Sequence, residues 1–283
     1  MIDRGVASVA LVSAFARDGA VVVRGALSVE QLKLAEAGIN AALADPSPLA
    51  ITASRDDDPG SFVEDFRNWQ RVEPIRVLAL DAGLGALAAT LMGSSTARLY
   101  HDHVLVKEPG TRQRTPWHQD QPYYDVDGAQ TVSFWIPIDP VPADGSLEIV
   151  AGSHDGTWYT PRAFADEAAK WFPEGQLAEL PDIDGDPEAH RVLRWALEPG
   201  DLVAFSMLAI HGAPGFVGPG RRRVLSLRYV GDDVVHAPRP WRTSPPFPEL
   251  ASDSGAGAGE RALPAGAPLD HPLFPLVHPP ARS

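Results

Sequence analysis

In the run TPWHQDQPYYD (residues 115–125), His118 and Asp120 set an imidazole and a carboxylate two residues apart, and none of the other eight histidines is followed two residues later by an acidic residue. In an extended segment, residues i and i+2 share a face, so the two side chains can fill adjacent corners of one metal site. The chain has no cysteine, so His, Asp and Glu must hold any metal, which favours iron or manganese over a structural zinc. The third ligand must come from another strand facing the same interior. His211, at the end of DLVAFSMLAIHG (201–212), is the candidate, read as sharing a face with Val203, Phe205, Met207 and Ala209. Two histidines and one carboxylate leave three coordination positions open, the arrangement used for non-haem Fe(II) oxygen chemistry. Arg222, eleven residues beyond His211, opens a strand in which a guanidinium can clamp a carboxylate bidentately near the metal. Taken alone, Arg221–Arg223 after Gly218-Pro219-Gly220 reads as an exposed basic turn. Arg228 shares a face with Arg222 across Val224 and Ser226, as an alternative anchor, a site for an anionic substrate, or a surface residue.

The elements that must position these groups fall into two halves. GAVVVRGALS (19–28) reads as a short buried strand and a turn. A helix follows from Ser28, whose spacing to Gln31 is that of a capping box, with Leu32, Ala35, Ile39 and Leu43 on one face and Asp45-Pro46 ending it. A second helix is expected from Pro74 to Met92, burying Ile75, Leu78, Leu84, Leu87 and Leu91. From residue 97 the chain turns to β-branched and aromatic runs punctuated by Gly, Pro and Asp: 97–110, 131–141, 146–152, 201–212 and 221–231. PADGS (142–146) reads as a tight turn between two antiparallel strands. Helices first and many short strands after predict a mainly β fold, an antiparallel sandwich or barrel with α-helices flanking it. Residues 155–190 form a polar, aromatic insertion, helical around 162–172. The segment from His236 onward holds eleven prolines in 48 residues, with DSGAGAGE (253–260) its most linker-like part. We expect one domain over 1–283: helices in 1–96, the strand-rich core in 97–235, and the Pro-rich extension in 236–283.

The net charge of −13 argues against a nucleic-acid groove, since a phosphate backbone would be repelled. No apolar run reaches the roughly 18 residues of a membrane span. VASVALVSAFA (6–16) has the apolar, small-residue character of a signal segment. Asp3 opposes a positive start and the apolar pattern resumes at 20–23, so the reading is cytoplasmic. Nothing in the sequence implies a protein partner.

His118-x-Asp120, His211 and Arg222 together resemble the phytanoyl-CoA dioxygenase family of Fe(II)/2-oxoglutarate oxygenases. GAVVVRGALSVEQL, HDHVLVKEPGT, DGSLEIVAGSH, PWRTSPPFP and LFPLV resemble its bacterial members across nearly the whole chain. The resemblance implies a double-stranded β-helix (a jelly-roll, cupin-like barrel) and a C-terminal extension ordered over much of its length. It implies His118, Asp120 and His211 as iron ligands, Arg222 as the anchor for the far carboxylate of 2-oxoglutarate, and Lys107 as a second group reaching that co-substrate. One position departs from the pattern: where many members have a serine after the second histidine, this chain has Ala213, which cannot donate a hydrogen bond. Trp135 or Thr131 would then supply the missing contact. The implied reaction uses O2 and 2-oxoglutarate to hydroxylate a C–H of a small molecule (an acyl thioester, amino acid or natural-product intermediate), releasing succinate and CO2. Related halogenases lack the carboxylate ligand, so Asp120 favours hydroxylation or another oxidation. Substrate contacts are expected from Tyr123, Tyr124, Trp158, Trp171, Phe62, Asp65, Arg67 and Arg228. A metal-dependent isomerase or hydrolase on a related barrel would use the same ligands but give Arg222 no task, and a non-catalytic binding barrel would need no triad.

Overall fold

A computed structural model describes residues 8–161, 177–216, 220–250 and 262–279. Helix α1 (Val9–Asp18) is capped by the Ser8 side chain, which accepts from the Leu11 N–H, and leads straight into β1 (Ala20–Val23). Helix α2 (Val29–Ala44) carries the expected capping box: Ser28 and Gln31 each accept the other's backbone N–H. Strands β2 (Ile51–Thr52) and β3 (Phe62–Phe66) precede α3 (Glu73–Asp81) and α4 (Leu84–Met92). The single helix expected from 74 to 92 is therefore two, meeting at 47°. Gly83, in the left-handed region at φ 81°, ends the first and starts the second. Ile75, Leu78, Leu84 and Leu91 are nonetheless buried, and Leu87 packs partly buried against the same core. No single described helix is long and apolar enough to cross a membrane.

The strands that follow are β4 (Ala97–Lys107), β5 (Thr115–His118), β6 (Val126–Asp127), β7 (Thr131–Pro137), β8 (Glu148–Val150), β9 (Val192–Leu193), β10 (Leu202–Phe205), β11 (His211–Ala213), β12 (Arg222–Val230), β13 (Val235–His236) and β14 (Leu276–His278). Among the described residues they form an eight-stranded sheet in the order β1-β10-β7-β12-β4-β3-β2, with β14 also on β4, and a four-stranded sheet β5-β11-β8-β9. A short pair, β13-β6, stands apart. Every ladder is antiparallel.

Two expected strands divide differently. The run 201–212 breaks after Phe205: the Ala209 N–H bonds back to the Ser206 carbonyl, and His211 resumes in the other sheet. His211 therefore does not share a strand face with Val203 and Phe205. The segment 131–141 ends at Pro137, because Pro137, Pro140 and Pro142 offer no N–H for a ladder. The 143–145 turn then crosses from one sheet to the other, so β7 and β8 do not form a hairpin.

The large sheet has one face for the helices and one for the site. Val132, Phe134, Ile136, Leu225, Leu227, Val104 and Val106 join Ile39, Ile75 and Leu78 in the main core. The alternate residues of the same strands, Trp135, Arg222, Val224, Ser226, Arg228, His103, Leu105 and Lys107, line a pocket. This is the two-residue period of a strand with both faces buried. A bulge interrupts it: Arg228 pairs with His101 and Tyr229 with Leu99, leaving Tyr100 as the extra residue. Tyr100 turns into a second core with Phe247, Leu269 and Phe274 from the C-terminal segment, whose last strand hydrogen-bonds to β4. Despite the segment's eleven prolines, its described residues carry β13, a 3-10 turn at Pro248–Leu250 and β14. The expected helix at 162–172, with Trp171, and the run 253–260 lie outside the described residues.

Candidate active site

The pocket between the two sheets brings together His118, Asp120 and His211, whose ligand atoms all lie within 4.8 Å of one another. His118 ends β5 and His211 starts β11, directly opposite it in register. Asp120 does not continue the strand: its backbone is helical (φ −72°, ψ −47°) and opens the one-turn 3-10 helix Gln121–Tyr123. Strand alternation, the expected reason for their convergence, is thus replaced by a turn that brings the carboxylate back towards both rings. Asp120 Oδ1 stands 3.8 Å from His118 Nε2 and 3.7 Å from His211 Nε2.

Backbone carbonyls orient both imidazoles. His118 Nδ1 lies 2.8 Å from the Pro116 carbonyl and His211 Nδ1 3.0 Å from that of Ala209. A carbonyl only accepts, so each Nδ1 carries the proton and each Nε2 turns its lone pair inward. Burial pushes the His118 imidazole down to about 3, helped by its neighbour His211, and lowers His211 as well. Both rings are therefore neutral and able to ligate at physiological pH. Burial raises the Asp120 carboxyl, but Arg228 and the two histidines outweigh it and hold it well below the usual range. Arg228 donates from Nε to Oδ2 at 3.1 Å and from Nη2 to Oδ1 at 3.3 Å, and Ser133 Oγ donates to Oδ2 at 2.9 Å.

Arg222 and Lys107 sit side by side in register on β12 and β4, 4% and 1% exposed. Arg222 donates to the Gly145 carbonyl, and its guanidinium carbon lies 5.7 Å from the centroids of both the Trp135 and Phe216 rings. Lys107 Nζ donates to the carbonyls of Gln113 (2.7 Å) and Pro214 (3.0 Å). Neither makes an ion pair with a carboxylate among the described residues. Burial pushes the Arg222 guanidinium down to about 10 and the Lys107 ammonium well below its usual value, with Arg222 adding to the latter.

Ten of the expected site residues line this pocket: His118, Asp120, His211, Arg222, Lys107, Trp135, Tyr123, Tyr124, Arg228 and Phe62. Ala213 lines it too. Thr131 does not; it lies two residues before Ser133, at the start of β7, where its hydroxyl accepts from the Met207 N–H at 3.2 Å. Trp158 lies outside the lining, 4.7 Å below the Arg239 guanidinium. Arg67, at a positive φ of 59°, turns to Glu249 and the Phe247 ring. Asp65 instead accepts the Ser47 N–H at 3.0 Å. The sequence reading overlooked Glu64, Phe66, His103 and Ser133. Counting by twos from Phe62 along β3 would have selected Glu64 and Phe66 rather than Asp65 and Arg67.

The sequence profile of the family described as Phytanoyl-CoA dioxygenase (PhyH) matches residues 15–224. The ectoine dioxygenase of Sphingopyxis alaskensis is 25% identical over 246 residues, covering 81% of this chain and 80% of that protein. The 2-oxoglutarate-dependent carbocyclase SnoK of nogalamycin biosynthesis superimposes with a TM-score of 0.70 at 22% identity, over 96% of each chain. The epimerase SnoN, solved with Fe3+, 2-oxoglutarate and a nogalamycin derivative, does so with a TM-score of 0.68 at 21% identity, over 95% of this chain and 97% of its own. With a family match running over most of its length and a buried His-Asp-His cluster at its centre, the chain belongs to the phytanoyl-CoA dioxygenase family of iron- and 2-oxoglutarate-dependent dioxygenases.

Proposed function

We propose that this enzyme hydroxylates an unactivated C–H bond of a small molecule, on a double-stranded β-helix formed by the two sheets around the pocket. Residues 1–283 act in this reading as one oxygenase domain, with the C-terminal segment joined to it by the pairing of β14 with β4. His118, Asp120 and His211 are the proposed iron ligands. The observation that carries this is the convergence of the three ligand atoms within 4.8 Å, with both Nδ1 atoms tied to carbonyls so that both Nε2 atoms face inward. Two neutral imidazoles and one carboxylate suit Fe(II) and leave positions for other ligands.

Arg222 is the proposed anchor for the distal carboxylate of 2-oxoglutarate, with Lys107 beside it. Both are buried cations whose hydrogen-bond acceptors among the described residues are carbonyls, so the far carboxylate of 2-oxoglutarate would add a direct ionic partner. Arg228 is not the anchor in this reading, because it is committed to Asp120. When bound, iron and 2-oxoglutarate supply the oxidising chemistry: O2 is reduced, 2-oxoglutarate becomes succinate and CO2, and one oxygen atom is available to the substrate. The chain's own contribution is positional. Arg228 and Ser133 fix the carboxylate, the carbonyls fix the two rings, and Trp135, Phe205, Leu147 and Leu105 surround the site with apolar surface that keeps bulk water out. Ala213 leaves the position opposite Thr115 without a hydroxyl donor. Trp135, which lines the pocket, is the proposed substitute for that contact.

The test is succinate formation by the purified protein. Iron-loaded enzyme given 2-oxoglutarate and O2 should release succinate slowly even without substrate, and Asp120→Ala should not. Iron-independent succinate release, or none from a folded, iron-loaded wild type, contradicts the proposal.

A further inference from the structure

We propose that the Thr115 hydroxyl donates a hydrogen bond to the far carboxylate of 2-oxoglutarate, so that the co-substrate is held from both sheets at once. The inference rests on the co-substrate reading of Arg222 and Lys107. Thr115 opens β5, Ala213 ends β11, and the two are direct partners in that ladder. Directly opposed residues of an antiparallel pair share a face, with Cβ atoms about 5 Å apart. A hydroxyl on either residue therefore reaches the same corner of the pocket, which both line. Ala213 has none, and Thr115 has one. A shift of register between His211 and Ala213 gives β5 an extra residue, which lets Thr115 and His118, three residues apart, both face the pocket. Thr115 is 7% exposed, and its hydroxyl has no hydrogen-bond partner among the described residues. A buried hydroxyl left in that state carries a desolvation cost that a ligand oxygen removes.

The place of this hydroxyl is the carboxylate end of the pocket. Lys107 Nζ donates to the carbonyls of Gln113 and Pro214, and these flank the pair: Gln113 lies two residues before Thr115, and Pro214 follows Ala213. Lys107 is in turn the register partner of Arg222. The hydroxyl thus shares a corner with both cations. Two of the ammonium's three N–H bonds go to these carbonyls, which leaves one for a ligand. A carboxylate accepts about four hydrogen bonds, so a bidentate guanidinium and that one N–H leave room for about one more donor. The other serine and threonine hydroxyls on the lining are placed elsewhere. Ser226 Oγ accepts from Arg228 Nη1 at 3.3 Å, towards the metal end, and Ser244 belongs to the C-terminal segment, where its N–H donates to the Tyr123 carbonyl at 2.9 Å. Trp135, proposed above for the contact that Ala213 cannot make, lies on β7 with its ring 5.7 Å from the Arg222 guanidinium carbon. It approaches from the large sheet and Thr115 from the small one, so the two donors serve together.

The experiment titrates 2-oxoglutarate into anaerobic Fe(II)-loaded protein and reads the visible band of the chelate. Thr115→Val keeps the side chain's shape and removes its hydroxyl. It should raise the half-saturating 2-oxoglutarate concentration about tenfold, the scale of one hydrogen bond to a charged group. Adding Ala213→Ser, which returns a hydroxyl from the opposite strand, should bring that concentration back to within about threefold of wild type. 2-Oxopentanoate chelates through the same end but has no far carboxylate, so its titration should change by no more than about twofold in Thr115→Val. Unchanged 2-oxoglutarate affinity in Thr115→Val, equal weakening for the two 2-oxo acids, or no recovery with Ala213→Ser overturns the inference. If Thr115→Val does not fold, Thr115→Ala against Thr115→Ser makes the same comparison. If 2-oxopentanoate gives no band, the recovery with Ala213→Ser carries the test. Absence of the band from wild type given 2-oxoglutarate would be a different failure, that of the proposed function, and would remove the premise as well.

Discussion

At the metal end of the pocket, the Arg228 guanidinium sits on the Asp120 carboxylate at 3.1 and 3.3 Å, and Ser133 adds a third donor at 2.9 Å. At the other end, Arg222 and Lys107 are just as buried but meet carbonyl oxygens instead of a carboxylate. The two ends carry the same kind of cation in opposite states of compensation. Where the counter-charge belongs to the protein, the geometry is organised before anything binds. Where it must come from a ligand, the site is held under an electrostatic cost that the ligand relieves. A buried arginine therefore reports its task by whether its carboxylate partner is part of the chain.

The largest effect should come from breaking the metal end itself. His211→Ala removes one of three proposed ligands and should weaken Fe(II) binding by at least about a hundredfold, read by metal titration of the apoprotein. Retention of wild-type affinity would remove His211 from the ligand set. Next is Arg228→Met, which strands a buried carboxylate. It should cost about 3 kcal/mol of apoprotein stability in urea unfolding, with part recovered on adding a divalent metal. Arg222→Met sharpens the contrast, because it removes a charge that has no carboxylate partner among the described residues. It should leave the apoprotein as stable as wild type or more so by about 1 kcal/mol, while 2-oxoglutarate binding weakens by about a hundredfold. Equal destabilisation by the two arginine substitutions would erase the distinction between the ends.

The smallest effect concerns pH. Burial lowers both proposed histidine ligands, His118 to about 3, so protons compete with metal only in acid well below the ordinary imidazole range. Fe(II) affinity should therefore stay nearly flat between about pH 7.5 and 5.5, where two ordinary histidines would already be losing metal. A steep loss across that window would mean that the rings are more exposed to solvent than their burial indicates.

Much of this arrangement was legible in the sequence, but not always for the right reason. The capping box at Ser28 and the alternation of β12, which sends Arg222 and Arg228 to one face and Leu225 and Leu227 to the other, follow from local rules that the fold obeys. The ligands were found by residue type and spacing, yet the strand geometry invoked for them does not hold. Asp120 lies in a helical turn, and His211 begins a new strand in the other sheet. Such breaks depend on which sheet the chain joins next, a long-range choice that an unbroken apolar run like 201–212 does not display. Glu64 was passed over for the same kind of reason. A five-residue strand has no alternation visible in FVEDF, where the two charged residues are adjacent and all five residues are at least partly buried. The break at Gly83 does not show in the residue type, since Gly38 and Gly85 lie inside α2 and α4; what distinguishes Gly83 is its positive φ, which a sequence does not display.

The central claim is that one end of the pocket is complete without ligand and the other is completed by a dicarboxylate. The most direct test is an anaerobic titration of 2-oxoglutarate into Fe(II)-loaded protein, following the visible charge-transfer band of the chelate in wild type, Arg222→Met and His211→Ala. The band should form in wild type, require much higher 2-oxoglutarate in Arg222→Met but reach the same final intensity, and fail to form in His211→Ala. A band that saturates at the same 2-oxoglutarate concentration in wild type and Arg222→Met would contradict the account.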